Sequence, residues 1–364
     1  MTSKTLMHAL DPAVDPAAAA LLARAQSGDG DAFRALTEPH RRELQAHCYR
    51  MLGSFQDAED ALQDTMLAAW QALEGFERRA SIRTWLYRIA TNRCLNTCRS
   101  ASRRPVIEWN IAGLEPPEPT GRGDVPWLEP YPDTHLGAAG ADQRGPDARF
   151  EGTESISLAF VTALQRLPPR QLAVLILRDV VGFHAVEVAD VMGASIESIN
   201  SALKRARASL QRTWTPAANE ARSAMRSSTS DAALIANFVR AYESADLDSL
   251  VALLTDDVFV SMPPMPLEYR GRDAVAGFLA GVTFSGGRRF ELAPTQANGQ
   301  PAFGTYLRLP DGSRQGTGLI VVAIASDGIS AITRFDKDVL PWFQLPRLLP
   351  DRSAAGQVQA RDAQ

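Results

Sequence analysis

Between residues 17 and 104 apolar side chains recur at steps of three and four, the spacing of one helical face, and Pro39 is the only proline in that stretch. The pattern then stops. Residues 105–150 are rich in Pro and Gly and have no period. They carry Glu108, Glu115, Glu118, Asp124, Glu129, Asp133, Asp142 and Asp147, so an acidic, largely irregular linker is expected. Within it "WLEPYPD", with Trp127, Leu128 and Tyr131, is too apolar to stand in solvent, and such a patch is expected to dock on another surface. Helical periodicity returns over 151–214. From about residue 230 an amphipathic helix, "AALIANFVRAYESADLDSLVALL", gives way to short alternating runs bounded by turn residues, among them "RRFELAPTQANG" and "GTGLIVVAIASDG". Helices followed by a meander of strands predict two all-α domains and then an α+β domain over 230–346, with residues 347–364 expected to be disordered.

Two helical stretches carry chemistry. "SIRTWLYRIATNRCLN" (81–96), taken at about 100° per residue, puts Ile82, Leu86, Ile89 and Ala90 on a core face. Thr84, Arg88, Thr91, Asn92 and Arg99 fall opposite, with Trp85 on the boundary. Such a face neutralises phosphates while a flanking ring stacks on an unstacked base; a solvated basic helix with a core-packing Trp fits the pattern equally. The second stretch starts at "HAVEVADVMGASIESINSALKRARASL". It predicts a first helix to about Met192, a left-handed turn at Gly193, and a second helix capped by Ser195, that is, a helix-turn-helix. Glu197, Asn200, Ser201 and Lys204 then point outward, followed by Arg205 and Arg207, as in a helix whose early residues meet base edges and whose later cations hold phosphates.

Composition adds limits. The 364 residues allow two or three domains, and a net charge of −4 gives no global sign of a nucleic-acid partner, so any such signal is local. Three cysteines (Cys48, Cys94, Cys98) make no disulfide framework, and no Cys/His set has ligand spacing, so neither metal nor cofactor is expected. With no leader-like N-terminus and no apolar run of about 18 residues, the reading is cytoplasmic, without membrane contact.

The segments "DAEDALQDTMLAAWQAL", "FERRASIRTWLYRIATNRCLN" and "LQRLPPRQLAVLILRDVVGFHAVEVADVMGASIESINSALKRAR", in that order, resemble the extracytoplasmic-function (ECF) subfamily of sigma-70 RNA polymerase sigma factors. The resemblance implies sigma domain 2 over 17–104, a linker over 105–150 and sigma domain 4 over 151–214, binding core RNA polymerase (β′ clamp helices and β flap) and promoter DNA. Asp57, Glu59, Asp60, Gln63, Asp64 and Trp70 resemble the polymerase-docking segment. Phe76, Arg78, Arg79 and Ser81 resemble the loop that captures an extruded −10 base, and Trp85, Arg88, Asn92 and Arg93 lie where the family reads or melts that element. Ser195, Glu197, Asn200, Ser201, Lys204, Arg205 and Arg207 would read −35. Where many members have Lys-Ser-Arg in the recognition helix this chain has "INSALKRAR", so its promoter sequence cannot be borrowed.

Residues 230–346 resemble the SnoaL-like, nuclear-transport-factor-like cone, on "DDVFVSMPPMPLEYRGRDAVAGFL" and "ITRFDKDVLPWFQLP". The likeness implies a C-terminal regulator that engages the "WLEPYPD" strap and replaces a separate anti-sigma partner. The cone also hosts enzymes and ligand sensors. Candidate acids are Asp256, Asp257 and Asp336, with Tyr242 or Tyr269 as donors, but no acid/base pair has a spacing that demands catalysis, and a non-enzymatic role is expected.

Overall fold

The computed structural model describes residues 16–101, 109, 114–122, 127–135, 156–213 and 228–350, in two compact units. The expected Glu108, Asp124, Asp142 and Asp147 of the linker lie outside the described residues, as do 351–364.

The first unit is helical. Its helices are α1 (Pro16–Gln26), α2 (Gly30–Leu52), α3 (Phe55–Ala72), α4 (Ile82–Ala101), α5 (Leu158–Gln165), α6 (Pro169–Leu175), α7 (Ala185–Met192) and α8 (Ile196–Thr213). Local chemistry sets several ends. The Asp29 carboxylate accepts from the Asp31 and Ala32 N–H groups to start α2. Gly53, left-handed at φ 70°, ends α2, and the Ser54 hydroxyl at once caps α3 by accepting from the Asp57 N–H. Leu36, Leu44, Met51, Leu62, Leu86 and Ala90 are buried and form the seam between α2, α3 and α4. Beyond the linker, α5 returns to the same unit, where the Gln165 side chain donates to the Arg50 carbonyl (3.1 Å) at the end of α2.

The second unit holds β1 (Gly121–Arg122), α9 (Ser228–Ser244), α10 (Leu247–Ala252), β2 (Leu254–Met262), β3 (Met265–Arg270), α11 (Arg272–Phe278), β4 (Phe290–Ala297), β5 (Gln300–Arg308), β6 (Arg314–Ala325), β7 (Gly328–Asp336) and β8 (Leu348–Leu349). The sheet runs β1-β3-β2-β7-β6-β5-β4, antiparallel throughout except for the parallel β2–β7 pair, with β8 added against β6. One face of it packs under α9 and α11 around Phe238, Tyr242, Val260, Phe278, Phe290, Phe303, Ile320 and Ile332. Helices followed by a curved mixed sheet match the fold class read from the sequence.

Two expectations need correction. Leu348 and Leu349 pair with Gln315 and Arg314, so the ordered chain runs past 346 to Pro350; two leucines able to cover a strand edge outweigh the polar residues that follow. The linker is also less irregular than its composition suggests. Gly121 and Arg122 form a strand against β3, and the Thr120 hydroxyl both donates to the Glu268 carbonyl and accepts from the Arg270 N–H. An exposed strand edge supplies the backbone partners that a Pro/Gly-rich segment lacks internally.

Candidate nucleic-acid and polymerase interfaces

On α4, Arg88, Asn92 and Arg99 are exposed, as the helical pattern predicts, and so is Arg93. Neither Arg88 nor Arg93 has a carboxylate partner among the described residues, so both charges are available to an external anion. Thr84 and Thr91, placed on the same outward face by the wheel, are instead buried. The Thr84 N–H and hydroxyl turn to Ser81, whose Oγ accepts from the N–H at 3.1 Å, and the Thr91 hydroxyl meets His47 Nε2 at 3.0 Å. A hydroxyl with a local partner crosses into the helical seam at little cost, and a charged guanidinium does not. Ser81, expected to hold a base, therefore works as the cap of α4.

The aromatics divide likewise. Tyr87 is 2% exposed, edge-on to His47 and to Phe183 of the second helical segment. Arg83 lies over both rings, 5.0 Å from Tyr87 and 4.6 Å from Phe183, and its guanidinium donates to both oxygens of Glu43. Burial alone would raise the Glu43 carboxyl, but the His40 hydrogen bond and the Arg83 charge outweigh it and hold the group below its ordinary value. Tyr87 and Arg83 thus bind the helical unit to itself. Trp85 is half-buried, its ring 4.8 Å from that of Phe76, which is itself only 8% exposed. Phe76, at the start of the loop likened to a base-capturing one, is buried with its ring against the indole. The loop between them remains open: Arg78 is exposed in a left-handed conformation at φ 60°, and Arg79 pairs with Glu77 at 2.6 Å.

His47 is wholly buried beside Tyr87, and burial first, then the Arg50 charge, pushes its imidazole down to about 3. It is neutral at physiological pH. Cys48 and Cys94 are buried next to one another and Cys98 is half-buried; all three are free. Among the described residues no group of three His, Cys, Asp or Glu side chains is placed to hold a metal.

On α3, Asp60, Gln63, Asp64 and Trp70 are exposed, while Asp57 and Glu59 are half-buried. The sequence reading missed Leu67, 57% exposed between them. Its signal was its place seven residues after Asp60 and three before Trp70, on one helical stripe. The result is an acidic helical face that also exposes two apolar side chains, Leu67 and Trp70.

The helix-turn-helix takes the expected form. Gly193 sits at φ 58° between α7 and α8, and the Ser195 hydroxyl accepts from the Ser198 N–H at 3.2 Å. The Glu187 carboxylate accepts from the His184 N–H at 2.7 Å, opening α7. Val188, Ala189, Ile199, Leu203 and Ala206 are buried between the helices, and Glu197, Asn200, Ser201, Lys204, Arg205 and Arg207 are exposed. Backbone and Ser195 hydrogen bonds hold the Glu197 carboxyl below its ordinary value. An open groove of about 550 Å³ runs beside α8, lined by Arg178, Asn200, Lys204, Arg207 and Gln211. Arg178, after α6, also escaped the sequence reading, because only the tertiary fold brings it beside α8. Asp179 binds Arg207 at 2.6 Å and fixes its guanidinium at the groove.

In the second unit the strap is seated. Leu128 and Tyr131 are buried and Trp127 is half-buried. The Tyr131 N–H donates to Asn298 Oδ1 (2.8 Å), and the Asn298 N–H donates back to the Tyr131 carbonyl (2.9 Å). Asn298 and Gly299, at φ 57° and 70°, form the β4–β5 hairpin turn, the left-handed pair that "NG" favours. Of the candidate acids, Asp256 is exposed and pairs with Arg272, Asp257 accepts from the Thr255 hydroxyl, and Asp336 caps the following turn. Tyr269 donates to the Pro117 carbonyl. None of these acids joins Tyr242 in the sheet's covered face.

Among the described residues no helix is long and apolar enough to cross a membrane. Residues 36–104 match the family model of Sigma-70 region 2, residues 157–210 that of Sigma-70, region 4, and residues 235–330 that of the SnoaL-like domain. The ECF RNA polymerase sigma factor SigG of Mycobacterium tuberculosis is 43% identical over 323 residues, covering 86% of this chain and 84% of that protein. The ECF RNA polymerase sigma factor SigM of the same species is 29% identical over 194 residues, 53% of this chain and 83% of that protein. Among solved structures, the M. tuberculosis ECF sigma factor SigJ aligns with a TM-score of 0.49 at 23% identity, over 84% of this chain and 97% of that one.

Proposed function

Because the chain belongs to the ECF family of RNA polymerase sigma factors and directs promoter-specific transcription initiation, we propose how its surfaces divide that work. The α3 stripe of Asp60, Gln63, Asp64, Leu67 and Trp70 docks on the β′ clamp helices of core polymerase, and the 156–213 segment meets the β flap. Arg88, Asn92 and Arg93, with the Arg78–Arg79 loop, engage the −10 element as it opens. Trp85, half-buried against Phe76, takes up an extruded base. Asn200, Ser201 and Glu197 read base edges at −35, while Lys204, Arg205, Arg207 and Arg178 hold phosphates. The observation that carries this reading is the segregation on α4: the unpartnered Arg88 and Arg93 face solvent, and Thr84, Thr91 and Tyr87 face the core.

Unstacking a base costs a few kcal/mol and ring stacking returns about 1–3 kcal/mol, so the exchange balances only with polymerase contributing the remainder. The isolated chain is expected to bind promoter duplex weakly. In vitro transcription with core polymerase tests the assignment; strong duplex binding without polymerase would instead favour a conventional helix-turn-helix repressor.

We read the SnoaL-like unit as a regulator acting in cis through the strap, in place of a separate anti-sigma protein, and without catalysis, since the candidate acids are spent on caps and surface pairs. Tyr131→Ala combined with Asn298→Ala loosens the strap. A changed transcript yield at equal core-polymerase affinity supports the regulatory role; an unchanged yield removes it.

A further inference from the structure

Three polar side chains in the second unit have no role in the reading above, and they meet on the covered face of the sheet. Arg334 follows Ile332 by two residues on β7, and so shares the face that Ile332 turns to the core. Its strand partner is Ile320, also core. Two residues before Ile320, Gly318 leaves that row without a side chain; a Cβ there would sit 3.6 Å from Arg334 Nη2. Arg334 uses the space, donating one hydrogen bond to the Thr317 carbonyl at 2.9 Å. Arg288 precedes core Phe290 by two residues, and its Nε donates to the Ser285 carbonyl at 3.3 Å. Both arginines are half-buried, and neither has a carboxylate partner among the described residues. Between them lies Tyr242 of α9, 6% exposed, with its ring 5.3 Å from Phe284 and 6.0 Å from Phe290. Its hydroxyl has no hydrogen-bond partner among the described residues. The nearby Glu243 carboxylate does not fill the role, because it accepts from the Leu292 N–H at 2.9 Å.

Two half-buried cations without a counter-charge, beside a buried phenol, repel each other and recover only one backbone-carbonyl hydrogen bond each for the hydration they lose. Burial first, then the Arg334 charge, lowers the Arg288 guanidinium; burial pushes the Tyr242 phenol up to about 12 against the pull of both arginines, so it stays a donor. We propose that Arg288, Arg334 and Tyr242 form a binding site for a small organic carboxylate with a ring-sized apolar body. The planar guanidinium forks match the two oxygens of a carboxylate, the phenol supplies a third donor, and Phe284 and Phe290 pack on the body. Those aromatic walls disfavour inorganic phosphate, which has no apolar part to bury. The site shares no residue with the promoter surfaces, so it is tested by binding alone and stands or falls separately from them.

The test is calorimetric titration of the full chain with 1-naphthoate, its neutral counterpart 1-naphthamide, and inorganic phosphate. Saturable 1:1 binding of naphthoate is expected, with the amide and phosphate at least about tenfold weaker, since each loses a charge-assisted pair or the apolar contact. Arg334→Gln should weaken naphthoate about tenfold. Tyr242→Phe, which keeps the ring and its packing, should weaken it a few-fold and guards against misreading a folding defect in the arginine variant. Absence of naphthoate binding, equal binding of the amide, or wild-type affinity in both variants overturns the site.

Discussion

The two units treat arginine in opposite ways. On α4 the guanidiniums of Arg88 and Arg93 stand exposed on the outer helical face, without a carboxylate partner among the described residues. In the sheet unit those of Arg288 and Arg334 lie half-buried on the sheet's covered face, near Tyr242 and Phe284. An exposed row suits a polyanion that passes along it and exchanges counterions; a half-buried pair suits an anion small enough to reach it and displace water. Arg83 completes the comparison, since Glu43 and Phe183 have already claimed its charge, and it serves the fold. Residue type alone does not separate these roles. What separates them here is burial and, for Arg83, a carboxylate and two rings that hold its charge.

The sharpest way to break this contrast is charge reversal on the exposed face. Arg88→Glu with Arg93→Glu should cut promoter-dependent transcription by on the order of a hundredfold and flatten the salt dependence of promoter binding by about 1.4 to 1.8 logarithmic units per decade, while core-polymerase affinity and melting temperature hold. If transcription survives, the row is an ordinary solvated face.

Trp85→Ala comes next. Loss of one stacking ring removes about 1–3 kcal/mol, so open-complex formation should fall roughly tenfold or more with polymerase binding intact. Equal loss of both activities, or an unfolded domain by circular dichroism, would assign the indole to the core with Phe76.

A third measurement concerns His47. Its folded-state pKa of about 3 lies below the ordinary 6.5, so the unfolded chain binds the extra proton between those values. Its contribution is therefore complete above pH 6.5 and is lost as pH falls toward 3, by about 2 kcal/mol at pH 5. His47→Gln should remove that part of the acid sensitivity, read as hydrogen-exchange protection of the helical unit at pH 7 and pH 5. The smallest effect is expected from Lys204→Ala, which deletes one phosphate contact: a salt slope shallower by about 0.9 and little change in base preference. Asn200→Ala should do the reverse, altering −35 selectivity at an unchanged slope.

Much of this was legible in the sequence, for a physical reason. Period and caps are local properties, so the α4 face, the Gly193 turn and the Ser195 cap could be read directly from residue order. The failures share one cause, which is contact between residues distant in the chain. Thr91 turned inward because His47 offered a partner 44 residues away. Arg178 reached the groove only through the packing of α6 beside α8. Arg288 and Arg334 lie 46 positions apart in sequence, and no periodicity marks them as neighbours; a curled sheet does. The burial of Tyr131, by contrast, was readable because an apolar run inside an acidic tether has few other destinations.

The clasp on that tether has a further implication. Asn298 grips Tyr131 through main-chain atoms of the strap, so the fastening senses the path of the strap's backbone and is blind to most of its side chains. Whatever occupies position 298 must tolerate a left-handed bend and present a neutral amide oxygen at once, which leaves asparagine almost without substitutes. Sequence drift can therefore change the strap's exposed residues while the buried Leu128 and Tyr131 and the corner that receives them stay fixed, and in a divergent homologue the asparagine-glycine corner marks where such a tether ends.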